Sequence, residues 1–377
     1  MDFLELKHKR IAIVADWLID FGWAELVISH LLEIFPDADI YTSVCFMNHP
    51  MLAGRKIYTS WLQKIPFLNR RHKLAGILRP FAFRSFDLSQ YDIILSSSSA
   101  ESKHAGYIKR WTQTKHFCYC HTPIRYYWSH YEEYRNMMEF WFLNPIARFM
   151  LDSLIWCLRK LDFEAAQKVD YFIANSKNTA QRIWKYYKKE SEVIYPGVDK
   201  KKIVRLQEKW NFYLGLGRCI PYKKFDLLVD AFNTNGRQLI LCTATDTPLF
   251  RELKTKSKSN IEWRFQVSNK EKDTLMSTAK AFLFPPEEDF WLVPIEAMMN
   301  GTPVIAYKKG WALETVIEKK TGIFFNEQTT ESLNRAIEEF ENQKWNSDEI
   351  QKRGEEFSKE TFQRKICEYL QNNSKLF

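Results

Sequence analysis

Glycine is scarce in this chain: 12 residues of 377, roughly 3% against the about 7% usual in globular proteins. Glycine is the residue that lets backbone turn tightly or lie close to a ligand, so few loops can do either. Tryptophan, at 13, outnumbers it. The seven cysteines have no paired Cys-x-x-Cys spacing, which argues against a disulfide framework or a zinc knuckle. Cys118 and Cys120 alternate along HFCYCHT and face one side of a strand, as reduced thiols do in a cytosolic protein. No apolar run approaches the length needed to span a bilayer. The opening MDFLELKHKR lacks the apolar core of a signal peptide. A cytoplasmic chain is therefore expected, with any membrane contact peripheral. No metal-ligand cluster, short repeat or low-complexity tract stands out.

The formal charge is +9 and the pI about 9.0. That surplus points to an anionic partner: nucleic acid, acidic lipid headgroups or phosphorylated substrates. The length suits two cores rather than one. The first half alternates strand-like runs with helical patterns: RIAIVA from Arg10, Ala38 to Val44, YDIILS from Tyr91, HFCYC from His116 and DYFIA from Asp170, with helices over 26–35 and 144–168. SEVIYPGVD, from Ser191, carries Pro-Gly punctuation and reads as a linker. Alternation then restarts over 212–216, 238–242, 260–267, 281–284 and 303–306, and helical patterns over 332–340 and 361–370 close the chain. Such alternation predicts parallel sheets covered by helices. The expected domains are 1–195 and 196–360, both doubly wound and Rossmann-like, facing a central cleft. A terminal helix, 361–377, is expected to pack back on the first domain.

The richest segment is EDFWLVPIEAMMNGTPVIAY, from Glu288 to Tyr307. It follows the apolar run AFLFP and leads into a helix with Pro294 at its first position. Helix-start N–H groups attract phosphate, and the flanking carboxylates Glu288 and Glu296 can hold sugar or ribose hydroxyls. Phosphate and hydroxyl recognition together suit a nucleotide-sugar. An acidic loop that merely caps a helix fits the same pattern.

Other candidates also follow strands, where doubly wound sheets bind ligands. Gly22 lies in the loop after the first strand and can admit a phosphate or substrate to the backbone; a plain turn glycine looks the same. His121 follows HFCYC and can hydrogen-bond a sugar hydroxyl, or be a structural histidine. Arg218 and Lys223, in GRCIPYKK, can neutralise a leaving diphosphate, or line a solvated basic loop. From Arg55 to Arg84 basic residues interleave with aromatic and aliphatic ones. This suits anionic headgroups, single-stranded nucleic acid or an ordinary amphipathic helical pair.

Taken in order, the segments IAIVADWL, FGWAE, YDIILSSS, FCYCHTPIRYYW, DYFIANS, VIYPGVD, GRCIPYKKFDLLVDAF, FPPEEDFWLVPIEAMMNGTPVIAY and ALETVIEKKTGIFF resemble the retaining glycosyltransferases of the GT-B fold. The likeness covers nearly the whole chain and is strongest to bacterial O-antigen and lipopolysaccharide mannosyltransferases. The resemblance implies a role for each matching residue. Glu288 contacts hydroxyls of the donor sugar, and Glu296 holds the nucleotide ribose. Arg218 and Lys223 bind the diphosphate, with the backbone of Leu292 and Val293 beside it. His121 lies next to the transferred sugar, and the base pocket includes the segment near Val267. It also implies no cofactor and no metal, a nucleotide-sugar donor such as GDP-mannose, a lipid-linked or saccharide acceptor, contact with the anionic inner face of a membrane, and no nucleic acid. The alternative is a catalytically impaired GT-B protein acting as a binding or scaffold subunit.

Three departures are large. Trp23, Trp291 and Trp311 stand where the family pattern has glycine. All three are expected on loops that face phosphate or sugar, where an indole blocks close approach and resists φ > 0. Scarce glycine with abundant tryptophan raises a second expectation: a gene that reads UGA as glycine, translated here as tryptophan.

Overall fold

The structure, a computed structural model, describes residues 6, 8–66, 74–108, 113–129, 131, 144–199, 211–288 and 290–374. Residues 67–73 of the basic, aromatic stretch therefore lie outside the described residues. The chain divides into two compact units, one formed by Met1–Gly197 with Phe362–Phe377, the other by Val198–Thr361.

The first unit is built on a parallel sheet of seven strands, β1 (Ile11–Ala15), β2 (Asp39–Thr42), β3 (Ile57–Thr59), β4 (Ile93–Ser98), β5 (Lys115–Cys120), β6 (Tyr171–Ala174) and β7 (Ser191–Val193), in the order β3-β2-β1-β4-β5-β6-β7. Every residue of β1 and β4 is buried, as helices on both faces of a parallel sheet require. The three serines that end β4 stay in this dry interior because each finds a partner. Ser96 Oγ is 2.8 Å from His116 Nε2, Ser97 Oγ is 2.8 Å from His121 Nε2, and Ser98 Oγ donates to the Ala100 carbonyl. Cys118 and Cys120 do share one face of β5, in a cluster with Phe172, Ile183 and Tyr187. The terminal helix, Lys359–Ser374, contributes Phe362, Ile366, Cys367 and Leu370 to the core that contains Ile11, Ile13 and Leu31.

The second unit repeats the plan with β8 (Tyr213–Leu216), β9 (Leu239–Thr243), β10 (Ile261–Phe265), β11 (Ala281–Phe284), β12 (Val304–Tyr307) and β13 (Gly322–Phe325), all parallel, in the order β10-β9-β8-β11-β12-β13. Its core joins Leu228, Phe232, Leu241, Leu283, Ile305 and Ile337.

Two expectations are corrected here. Ser191–Val193, read as linker, is an edge strand paired with β6. The described residues of the stretch from Arg55 to Arg84 form no pair of amphipathic helices. It holds β3, a 3-10 turn over Trp61–Lys64, another over Leu74–Ile77 and a short helix over Arg79–Arg84. Nor are its cations uniformly outward: Arg79 is 3% exposed and bonded to Glu101 at 2.6 Å.

Candidate functional site

In each sheet the chain works outward from a central strand, then returns to that strand's other side. This reversal leaves a crevice at the carboxyl ends of β1 and β4 in one unit, and of β8 and β11 in the other, where ligands of doubly wound sheets bind.

In the second unit the loop after β8 begins with Gly217 at φ +154°, and a Cβ there would come within 2.9 Å of the Trp291 ring. A single 3-10 turn, Pro221–Lys223, ends at Lys224 in the left-handed region. That turn aims Lys223 inward. Its ammonium lies 2.7 Å from Glu288 Oε1, with side-chain exposures of 7% and 12%, and 3.4 Å from the centroid of the Trp291 ring. The loop carrying Glu288 is braced from behind by Trp311, whose backbone N–H donates to the Glu288 carbonyl at 2.7 Å. Its indole Nε1–H donates to the Trp291 carbonyl at 2.9 Å. Gly310, at φ +58°, lets this contact form, since a Cβ there would meet the Glu288 carbonyl oxygen at 2.5 Å.

Glu296 lies in the first turn of the helix Val293–Met299, where Pro294 occupies the second position and not the first. Its two carboxylate oxygens accept from Lys272 Nζ at 2.9 and 3.0 Å. Leu292 and Val293 have buried side chains at the start of the same helix. Arg218 is exposed, with Nη2 donating to the Tyr222 hydroxyl at 3.1 Å. Val267 lies beyond the end of β10, half-buried. The structure thus joins Lys223 to Glu288 and pairs Glu296 with Lys272, while Arg218 turns to Tyr222.

In the first unit Asp16 directly follows β1 and is 6% exposed. Its carboxylate accepts from the backbone N–H groups of Ser99, Ala100 and Ser102 at 2.7–2.9 Å and from the Ser99 hydroxyl at 3.0 Å. It therefore ties the loops after β1 and β4 together. Gly22 caps the helix Trp23–Ile34, and its N–H donates to Glu25 Oε2 at 3.0 Å. Burial raises the Glu25 carboxyl above its usual range, against those backbone hydrogen bonds. Gly22 is extended at φ −132°, so the turn does not rest on left-handed backbone. His121, next to Ser97, is pushed down to about 4 by burial. It is a neutral hydrogen-bonding group at neutral pH.

Of the three tryptophans, Trp311 leaves the site for the core, whereas Trp291 stays on it, over Lys223. None takes positive φ, a conformation that among described non-glycine residues is confined to Lys188, Lys224, Gln266 and Lys319. Trp311 is fully buried between Phe290 and Phe357, so its indole is core and not a wall of the loop. Trp291 is 7% exposed, and Trp23 is 43% exposed at a helix start. Sequence reasoning missed Asp16, Lys272 and the stacking of Lys223 on Trp291. Only Asp16 left a trace, as a carboxylate directly after the first buried strand. Among the described residues no group of three His, Cys, Asp or Glu could hold a metal ion. No helix there is long and apolar enough to cross a membrane.

Comparison with known proteins agrees with this architecture. Residues 24–202 match the model of Glycosyltransferase Family 4, and residues 199–360 match that of Glycosyl transferases group 1. The chain is 28% identical over 151 residues to the O-antigen chain mannosyltransferase RfbU of Salmonella typhimurium, covering 37% of this chain and 43% of RfbU. It is 23% identical over 290 residues to the Alpha-1,3/1,6-mannosyltransferase ALG2 of Dictyostelium discoideum, covering 64% and 65% of the two. These matches span less than two thirds of the curated relatives' lengths. Among solved structures, Anabaena Alr3699/HepE in complex with UDP and glucose superposes with a TM-score of 0.69 at 18% identity, over 97% of this chain and 100% of that one. The lipopolysaccharide outer core galactosyltransferase WaaB gives 0.70 at 16% identity, over 97% and 99%. Two Rossmann-like units give this chain the GT-B fold, and it is similar to Glycosyltransferase Family 4 over residues 24–202 and to Glycosyl transferases group 1 over residues 199–360.

Proposed function

We propose that the chain is a retaining hexosyltransferase that moves mannose from GDP-mannose to a lipid-linked or polysaccharide acceptor in cell-envelope glycan synthesis. The observation that carries this reading is the Lys223–Glu288 pair at the carboxyl ends of β8 and β11, 2.7 Å apart and largely removed from water. A buried cation beside a carboxylate can hold a departing diphosphate and a sugar hydroxyl at neighbouring points. Lys223, with Arg218 on the same loop, would take the charge that builds up on the diphosphate as the glycosidic bond breaks. No metal is needed for that task. The sugar passes through an oxocarbenium-like state, and the acceptor hydroxyl attacks the face the diphosphate leaves. A leaving phosphate oxygen takes the acceptor proton, so no protein base is required. Glu288 orients and stabilises the sugar, and Glu296 holds the ribose once Lys272 yields. His121, neutral, hydrogen-bonds the transferred sugar, Leu292 and Val293 offer backbone to the diphosphate, and Val267 borders the base.

Mannose is supported by the names of the relatives, RfbU and ALG2. Peripheral contact with the inner membrane face is supported by the exposed Trp61, Ile77 and Phe81 of the first unit. The direct test is thermal-shift binding of GDP-mannose, UDP-glucose and UDP-N-acetylglucosamine, followed by transfer assays with NMR of the product's anomeric proton. GDP-mannose should stabilise most and the product should keep the donor's configuration. No stabilisation by any nucleotide-sugar would overturn the reading.

One observation favours a binding or scaffold subunit instead: Trp291 covers the face of Lys223. If that cover closes the site for good, Trp291→Gly should gain nucleotide-sugar binding that the Trp form lacks.

A further inference from the structure

We propose that Lys223, Glu288 and Trp291 form a latch that makes this site prefer the intact nucleotide-sugar over the nucleoside diphosphate left after transfer. The inference rests on the nucleotide-sugar reading above and concerns how that site selects and releases its ligands.

The latch follows from what each group loses when a ligand arrives. Lys223 is engaged on two sides, by Glu288 at 2.7 Å and by the Trp291 ring at 3.4 Å. The Trp291 backbone carbonyl accepts from the Trp311 indole, and the ring edge lies against Gly217, which limits the room the ring has to move. The aromatic face and the carboxylate together hold the ammonium by electrostatic attraction. A free nucleoside diphosphate could take the ammonium but offers Glu288 nothing. The carboxylate, with 12% of its side chain exposed, would then be left without its cation, which is costly in a site this dry.

A nucleotide-sugar carries both replacements on one molecule. Its phosphate oxygens accept from Lys223, while a sugar hydroxyl donates to Glu288. Two partners are exchanged for two, and neither group is stranded. After transfer the hydroxyl leaves with the sugar. Glu288 then takes Lys223 back, the diphosphate loses its cation, and product release follows without a moving lid. No covalent bond changes in the latch itself.

The test is calorimetric titration of the full chain with GDP-mannose and GDP, and in parallel with UDP-glucose and UDP. In the wild type the intact donor should bind about tenfold or more tightly than its diphosphate, within the usual range for coupled sites. Sugar contacts alone could give the same preference, so the deciding arm is Glu288→Gln, with folding checked by thermal unfolding. The latch requires diphosphate affinity to rise, by about tenfold, because Lys223 is no longer claimed by a carboxylate. Trp291→Phe should keep most of the wild-type preference, and Trp291→Gly should lose part of it. Unchanged or weaker diphosphate binding in Glu288→Gln overturns the latch and leaves the nucleotide site standing. Absence of binding by every donor and diphosphate, to the wild type and to both Trp291 variants, overturns the nucleotide-sugar reading itself.

Discussion

Both units bury carboxylates next to lysines, yet the two arrangements differ in kind. In the first unit Asp162 is wholly buried and meets Lys103 Nζ at 2.6 Å, the Trp128 indole N–H at 2.8 Å and the Tyr187 hydroxyl at 2.8 Å. Burial alone would raise its carboxyl, but Lys103 and His104 beside it hold it below the usual carboxylate range. Glu101 is likewise enclosed, by Arg79, Tyr126 and Tyr127. In the second unit Glu288 and Glu296 meet Lys223 and Lys272, with 7–17% of each side chain still open to water. Donors from several elements converge on the carboxylates of the first unit, which makes them structural anchors. Those of the second hold a lysine that a ligand can replace.

The sharpest way to break this contrast is to remove a lysine from each unit. Lys103→Ala leaves the buried Asp162 carboxylate without its cation and should cost about 3–5 kcal/mol of stability, read by urea or thermal unfolding. A loss below about 1 kcal/mol would mean that water reaches Asp162 and that the two units do not differ in kind. Trp311→Gly tests the brace behind Glu288. Losing a fully buried indole should cost about 3–5 kcal/mol, and it frees the loop that holds the latch.

Lys223→Ala, by contrast, should show mainly in catalysis. Losing the cation for the departing diphosphate should reduce transition-state stabilisation by about 2–4 kcal/mol in kcat/KM, by analogy with lost oxyanion donors. Glu288 and Glu296 should then separate. Glu288→Ala should cut turnover without weakening nucleotide binding, and Glu296→Ala should weaken nucleotide affinity first. Equal, negligible effects from both would remove the site assignment altogether.

How much of this was legible depends on whether a residue's role is local. The long buried strands β1 and β4 were readable because a parallel sheet imposes uninterrupted apolar or small residues. The edge strands β3 and β7 were not, since Ile-Tyr-Thr and Ser-Glu-Val are too short and too mixed to carry a period. Glu288 and Lys223 could be picked out by the segments around them. Their pairing could not, because the two residues come from loops after different strands. Asp16 escaped because its function lies in backbone N–H groups more than eighty positions later. The core position of Trp311 was hidden for a related reason: a sequence gives the size of a side chain but not the side of the loop it takes. At 311 the indole goes into the core, and at 23 it goes to solvent.

That last pair supports the smallest predicted effect. Trp23 opens its helix at a position next to the Gly22 cap, and 43% of it is exposed. Trp23→Gly removes little packing and places glycine in a first turn, so it should cost at most about 1 kcal/mol. A larger loss would mean that the indole is held by contacts beyond its own helix. The two substitutions also weigh the recoding idea. Glycine at 23 suits the helix start nearly as well as tryptophan, so stability there is indifferent to how UGA is read. Glycine at 311 would leave a hole between Phe290 and Phe357 and remove the hydrogen bond to the Trp291 carbonyl. Mass spectrometry of the native protein that finds a tryptophan-bearing peptide at 311 would reject recoding at the position where the fold depends on the answer.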